Sequence, residues 1–511
     1  MFEGLEHWAY AWVGFLNPTS LGLGLGGALV GIIVGVLPGL SATLVIALLT
    51  TMTVGLKGND AILVLICSYV GALYGGSRTA ILLNIPGTAA NAASCADGFA
   101  LAQRGEAGRA IGIATSGAFT GTLFGVLCLA MFAPILAEFA LDFGAFEFFW
   151  LALFGVSMSG TIVGRDPVKG WLMGALGLFL AQVGQEGIYA YNRFTFGWDE
   201  LAGGIALIPA LVGAFGLAEI LTTLADPIER KVVDLKDSVL PRFREVFQYW
   251  RTVLRSGVIG VTTGLLPGVG EDSGAWMSYA AAKATSKEKE LFGKGSIDGL
   301  MSAETGDMAS IPGHLIPLLS LGIPGSAPSA VLMAAMIIHG VQPGPMMHIQ
   351  HPTFLYEVVA MTSLATITIL IFGLFLVRPL LYVLRIKRSV LMPIIYVLCT
   401  VGGFANASRL FDIYAMLVVG IGAFFLRRRG YQMAPFVLGM VLGPLLDKSL
   451  RRGLVLSDGS VLPFFTRPIC AVLAAVTIFA ILLYVPAFKA LVGRVTGGVA
   501  SLLRSLVPRR S

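Results

Sequence analysis

The chain of 511 residues is 56% hydrophobic and only 13% charged, with a mean hydropathy of +0.83 and a formal net charge of +6. Soluble domains carry roughly 25% charged residues, so this composition excludes a soluble globular protein and indicates an integral membrane protein. Lys and Arg beside apolar segments orient a membrane protein, and they account for the positive balance with no nucleic-acid partner.

Strand alternation is absent and uncharged runs are long, so the expected fold class is all-α and polytopic rather than a barrel. The 64 glycines suit closely packed membrane helices. Cysteines at 67, 95, 128, 399 and 470 form no Cys-x-x-Cys pair and read as packing residues. The N-terminus carries Glu3 and Glu6 but lacks the basic start of a cleaved signal peptide, so the first span is expected to stay.

From His7 to Leu56 no Asp, Glu, Lys or Arg occurs, a run too long for one span of about 20 residues. A first span is expected near Leu21 to Leu37. The chain then breaks at Pro38-Gly39 and resumes with an apolar arm from Ala42 to Val54. A further arm, Ala61 to Tyr74, leads through Gly75-Gly76-Ser77 to a second break at Pro86-Gly87. Proline removes a backbone donor and clashes with the preceding turn, and the following glycine takes dihedrals that continue no helix. Ala110 to Ala137, Phe148 to Gly164, Gly170 to Gln185 and Leu201 to Ala218 complete the first half.

Both breaks return in the second half, at Pro267-Gly268 and Pro324-Gly325, offset by 229 and 238 residues from Pro38 and Pro86. The charged insert around Lys283 to Lys294 accounts for the difference, and Arg165 is echoed by Arg409. A near-constant offset argues for internal duplication. The expected organisation is a first transmembrane repeat over 1–225, a basic cytoplasmic linker over 226–256, a second repeat over 257–492 and a basic tail over 493–511. Val358 to Val377, Ser389 to Ser408, Ile413 to Leu426 and Pro468 to Phe488 are spans, for about eleven to thirteen crossings in all. Gly430 to Leu446 is ambiguous, because Arg427-Arg428-Arg429 precedes it and Lys448, Arg451 and Arg452 follow it.

These residues resemble the large membrane subunit of the tripartite tricarboxylate transporters. The matching motifs are Gly35-Val36-Leu37-Pro38-Gly39, Tyr74-Gly75-Gly76, Ile81 to Gly87, Asp97-Gly98 with Gly105-Glu106-Ala107, Leu266 to Gly270, Ser302-Ala303-Glu304, Leu321 to Gly325 and Val341 to Pro345. The resemblance implies a multi-pass permease of the bacterial inner membrane that works with a small four-helix membrane subunit and a periplasmic solute-binding protein. It implies uptake of carboxylates with an ion gradient, and it does not select one carboxylate.

At membrane depth, backbone groups freed by a break must face protein or a wet cavity, so paired breaks are candidate walls of a substrate site. Helix N-termini after each break offer amide donors to an anion. The candidate substrate-binding residues are therefore Pro38, Gly39, Ser41, Thr43, Asn84, Pro86, Gly87, Thr88, Pro267, Gly268, Gly270, Pro324, Gly325 and Ser326. The bland reading is that Ser, Thr and Asn only cap the broken helices. Asp272 and Glu304 are the candidates for holding a coupling ion, H+ or Na+, because intramembrane carboxylates are costly and functional. Glu271, Asp307 and Asp97 are the other acids near the breaks, and Arg78 is poised to pair with a substrate carboxylate or with Asp97. His348 and His351 read as loop residues rather than metal ligands.

The leading expectation is a secondary transporter for organic anions with two repeats of inverted topology and no cofactor beyond the coupling ion. No P-loop motif occurs. A passive anion channel and an intramembrane enzyme are the alternatives, the second lacking a zinc-protease motif or a nucleophile elbow.

Overall fold

Glycines spaced by three or four residues decide how the first helices pack. Helix α1 (Pro18–Val36) is capped by Asn17, whose side chain accepts from the Ser20 amide at 2.8 Å, and has a proline in its first turn. It lies against α3 (Gly58–Leu83), where a Cβ on Gly27, Gly31 or Gly35 would collide with the carbonyls of Val64, Ser68 and Ala72. Such contact between backbones is available only to the smallest residues. The short α2 (Ala42–Met52) is capped by Ser41. The structure is a computed structural model that describes residues 11–37, 40–158, 160, 166–187, 189–225, 243–266, 269–384, 388–405 and 408–482.

One difference from the sequence expectation concerns α3. Gly75-Gly76-Ser77 does not interrupt it, and the helix runs 26 residues to Asn84, which closes it in the left-handed region at φ 55°. The glycines are there for proximity: a Cβ at Gly75 would meet the Ile32 carbonyl, and one at Gly76 the Asn91 side chain. Residues 84–91 form a loop, and α4 (Ala92–Gln103) follows.

Helix α5 (Ala107–Ala140) spans 34 residues with Pro134 near its end, and α6 (Ala145–Ser157) and α7 (Pro167–Ala181) are shorter. A two-residue ribbon, β1 (Gly184–Gln185) antiparallel to β2 (Asn192–Arg193), then appears where only helix was expected. Helix α8 (Leu207–Ala225) contains a π-helical turn over Val212–Leu217. Most of the charged linker, 226–242, lies outside the described residues; α9 (Phe243–Gln248) and α10 (Trp250–Leu265) take up its last part.

The second half continues with α11 (Gly270–Thr285), α12 (Ile297–Leu321), α13 (Ala327–Ile338), α14 (Pro345–Gln350), α15 (Phe354–Phe375) and α16 (Val377–Leu384). It ends with α17 (Arg388–Ala405), α18 (Leu410–Arg428), α19 (Ala434–Leu456) and α20 (Pro468–Leu482). The expected tail at 493–511 lies outside the described residues. The fold is all-α and polytopic. Among the described residues six helices are long and apolar enough to cross a membrane: Pro18–Val36, Gly58–Leu83, Ala107–Ala140, Leu207–Ala225, Phe354–Gly373 and Leu410–Arg428.

The halves interlock. Helix α5 packs on α12 and α15 packs on α3; α6 and α7 pack on α19, and α17 and α18 on α8. Gly117, Gly121 and Gly125 bring α5 onto Glu304, Thr305 and Ala309, while Gly177 and Gly439 join α7 to α19 backbone to backbone.

Ion pairs at the helix ends explain the ambiguous segment after Gly430, which is the start of the continuous helix α19. Part of the basic charge at its far end is paired: Asp447 pairs with Arg193 at 3.1 Å and with Arg451 at 2.9 Å. At the near end Arg427 pairs with Glu219 of α8 at 2.6 Å, and Lys169 of α7 donates to the Arg429 carbonyl at 2.9 Å.

Candidate functional site

Helices α3 and α12 run past each other in opposite directions, Tyr69 lying near Ser326, Ser77 near Glu304. Two buried polar clusters occupy the crossing. In the first, Glu304 is fully buried and accepts from the Ser77 hydroxyl at 2.8 Å and the Ser94 hydroxyl at 2.5 Å. The Asn91 amide nitrogen donates at 3.1 Å to both Asp307 Oδ2 and Ser77 Oγ, and at 3.3 Å to the Leu73 carbonyl. Asn91 Oδ1 in turn accepts from the Thr88 hydroxyl at 2.8 Å. The loop after Gly87 is thereby fastened to the middle of α12.

Arg78 closes the first cluster. It is 1% exposed; one terminal nitrogen donates to the Tyr74 carbonyl and the other to the Thr115 hydroxyl, both at 2.6 Å. Its guanidinium lies over the Tyr74 ring. Glu304 is near enough to feel this charge without a direct ion pair.

The second cluster is built around Glu271, in the first turn of α11. Its Oε1 accepts from the Ser326 hydroxyl at 2.9 Å and from the Tyr69 hydroxyl, and it stands 3.7 Å from His314 Nδ1. Ser326 also caps α13, receiving the Ser329 amide at 3.4 Å. The end of α12 is thus fastened to the middle of α3. Gly325 permits it: a Cβ there would strike the His314 ring and the Gly264 carbonyl. At the matching place in the first half, a Cβ on Gly87 would meet Gly76 and the Gly35 carbonyl.

Comparison with known proteins adds the decisive finding. Residues 21–438 match the family described as the tripartite tricarboxylate transporter TctA family. The chain belongs to that family. It is 37% identical over 462 residues, covering 90% of this chain and 92% of the relative, to an uncharacterized 52.8 kDa protein in the TAR-I ttuC' 3' region of Agrobacterium vitis. It is 34% identical over 224 residues, 44% of this chain and 93% of the relative, to an uncharacterized protein in the TAR-II ttuC' 3' region of the same organism. No solved structure matches. As a TctA-family protein the chain is a multi-pass membrane subunit of a transporter.

Not every residue singled out from the sequence falls at the crossing of this TctA-family chain. Pro38, Gly39, Pro267 and Gly268 lie outside the described residues, as does the side chain of His348. Ser41 caps α2 and Thr43 is buried in it. Asn84 is exposed at the end of α3, Pro86 and Thr88 are half-buried, and Gly87 is buried. Gly270 opens α11 at φ 75°, and Pro324, Gly325 and Ser326 are buried against the second cluster. The helix expected to restart at Gly87 restarts at Ala92 instead, because Asn91 is committed to α3 and α12.

Of the two acids chosen for the coupling ion, Glu304 is enclosed, whereas Asp272 is exposed in the first turn of α11 and accepts from the Ala90 backbone amide. Asp97 does not pair with Arg78. Its Oδ1 accepts from the amides of Gly293, Gly295 and Ser296 at 2.8–2.9 Å, holding the turn that precedes α12. His351 is exposed, and among the described residues no three metal-ligating side chains cluster. The sequence reading passed over Tyr69, Ser77, Asn91, Ser94 and His314. A lone tyrosine and a lone histidine within apolar helices were the available signals.

Proposed function

We propose that this chain is the large permease subunit of a binding-protein-dependent secondary transporter that takes up organic carboxylates across a bacterial inner membrane. It works with a small four-helix membrane subunit and a periplasmic solute-binding protein. The observation that carries this reading is the crossed fastening at the centre: the loop after Gly87 bonds to α12 through Asn91 and Asp307, and the loop before α13 bonds to α3 through Ser326 and Tyr69. Broken helices that meet between two halves are how secondary transporters build a substrate site.

The two halves are read as repeats of inverted topology. Equivalent close approaches support this: Gly31 on Ser68 corresponds to Gly260 on Gly306, and Gly35 on Ala72 to Gly264 on Ser310, each at offsets of 229 and 238 residues. The opposite directions of α3 and α12 support inversion. The substrate carboxylates are assigned to the breaks, to Ser41, Thr43, Asn84 and Gly270 with the neighbouring backbone amides, while the Thr88 and Ser326 hydroxyls hold Asn91 and Glu271 beside them and Arg78 supplies positive potential behind.

Import of an anion against a negative interior costs about 2.3 kcal/mol per unit charge per 100 mV, a cost that a co-transported cation cancels. Three carboxylates, Glu304, Glu271 and Asp272, lie near enough to Asp307 to repel its charge, and of the four only Glu304 feels the buried Arg78 guanidinium. That surplus of acids supports cation coupling. The test is uptake of a panel of labelled di- and tricarboxylates into liposomes holding the large and small subunits, with the binding protein added. Gradient-dependent accumulation above equilibrium is expected. Equilibration without accumulation would make the protein a channel, and a changed substrate would make it an enzyme.

A further inference from the structure

We propose that Asp307 is the proton carrier of this transporter, taking one proton from the side from which substrate enters and giving it up on the other. This rests on the reading of the chain as a cation-coupled transporter and names its coupling group and ion.

The geometry singles out Asp307 from the four acids at the crossing; Asp97 also has an unpartnered oxygen, Oδ2, but its charge is met by three backbone amides in the turn ahead of α12. Asp272 is exposed, and Glu271 accepts from Tyr69 and Ser326. Each oxygen of Glu304 already receives a serine hydroxyl. Asp307 is 2% exposed and only half engaged: Oδ2 accepts from Asn91, and Oδ1 has no partner among the described residues. A buried carboxylate oxygen left unpaired is expensive, whereas a proton on it removes the charge.

The groups around it sharpen the case. On its own helix stand Glu304 and His314, on α11 Glu271 and Asp272, and on α3 Tyr69 and Arg78; Glu304, Glu271 and Asp272 all repel its negative charge. From the loop Asn91 faces it, and Ser94 of α4 is turned to Glu304. Helices α5 and α10 approach this stretch of α12 through Gly121 and Gly260 and bring no charge there. Arg78 is spent on Tyr74, Thr115 and the field at Glu304. Asp307 therefore sits among like charges with no countercharge in hydrogen-bonding contact.

Among the described residues, the same bonds favour a proton over sodium. A sodium ion needs several oxygens at once, drawn from carboxylates, hydroxyls and free carbonyls. Here Ser77 Oγ is taken by Glu304 and Asn91, Ser94 Oγ by Glu304, and Asn91 Oδ1 by Thr88. Thr305 Oγ1 is also unpartnered, but two residues along a helix it is turned about 200° away from Asp307. One free oxygen suits a proton.

The experiment is carboxylate uptake by the reconstituted complex with a pH gradient or a sodium gradient imposed separately, recorded together with proton flux by an entrapped pH indicator. The expected result is accumulation driven by the pH gradient and accompanied by proton entry. Asp307→Asn should lose both at least tenfold, and Asp307→Glu should recover them in part, which a loss of folding would not allow. Sodium-driven accumulation without proton flux in the unaltered protein would overturn the proposal and leave cation coupling standing. So would pH-driven accumulation that persists in Asp307→Asn. Indifference of the unaltered protein to both gradients would remove the coupling reading itself.

Discussion

At the scale of single residues, the acids near the breaks divide into different jobs that their spacing alone could not separate. Asp97 is structural: one carboxylate oxygen satisfies three backbone amides in the turn ahead of α12. Hydrogen bonds to a charged acceptor are worth about 1.5–3 kcal/mol each, and orphaned buried amides add a penalty. Asp97→Ala is therefore expected to destabilise the detergent-solubilised protein by several kcal/mol, about 3 or more on that scale. Asp97→Asn keeps an acceptor oxygen and should cost less than half as much. Thermal unfolding followed by a thiol-reactive dye measures both, and equal midpoints for Asp97→Ala and the unaltered protein would remove the structural role. Glu304 was legible as a candidate because a carboxylate between apolar segments is conspicuous. Its serine partners were not, since Ser94 and Ser77 stand 210 and 227 residues away in the chain. Asp272 drew attention by lying five residues after Pro267, yet the first turn of a helix turns one side away from its packing partners, and Asp272 is on it.

At the scale of elements, the breaks were legible and the packing that surrounds them was not. The helices ahead of Pro38, Pro86, Pro267 and Pro324 do stop, at Val36, Leu83, Leu265 and Leu321, whereas Pro312-Gly313 runs inside α12, so a Pro-Gly pair announces a helix end only together with its surroundings. The glycines of Gly75-Gly76 carried a second message, close approach to Ile32 and Asn91, which looks identical in sequence to a helix end. Close approach makes a sharp prediction. Gly87→Val and Gly325→Val should each abolish uptake, since the new side chain would drive into Gly76 and Gly35 in one case and His314 and Gly264 in the other. Gly26→Val, on the same helix as Gly35 but with nothing nearby, should keep at least half the uptake. Overpacking of tight contacts costs about 1–3 kcal/mol, occasionally more, so both defective variants are expected to reach the membrane and elute as folded protein. Uptake by Gly325→Val at the unaltered rate would show that the second cluster does not depend on this contact.

At the scale of the whole molecule, the ion pairs and the chain direction sort the helix ends into two groups. One group holds Arg109 with Glu245 at 3.2 Å, Arg427 with Glu219, Lys169 beside Arg429, and the charged turn from Lys283 to Lys294. The other holds the β-ribbon, Asp447 with Arg193 and Arg451, Arg467 with Glu147 at 3.2 Å, and Asn59 beside Glu357. The Lys/Arg excess of the first group, together with the basic linker between α8 and α9, predicts that this group faces the cytoplasm. Sequence alone left the stretch after Gly430 undecided because both of its flanks are basic, and charge counting cannot see that Arg193 and Arg451 share Asp447. Orientation can be tested with cysteines in a background freed of the native five. Tyr191→Cys, on the exposed tip of the β-ribbon, should react with a membrane-impermeant maleimide in intact spheroplasts, and Lys287→Cys should react only after the membrane is opened. Labelling in the opposite sense would invert the whole arrangement. The proton entering with substrate would then reach Asp307 from the α11 side of the crossing rather than from the side of α2 and α13.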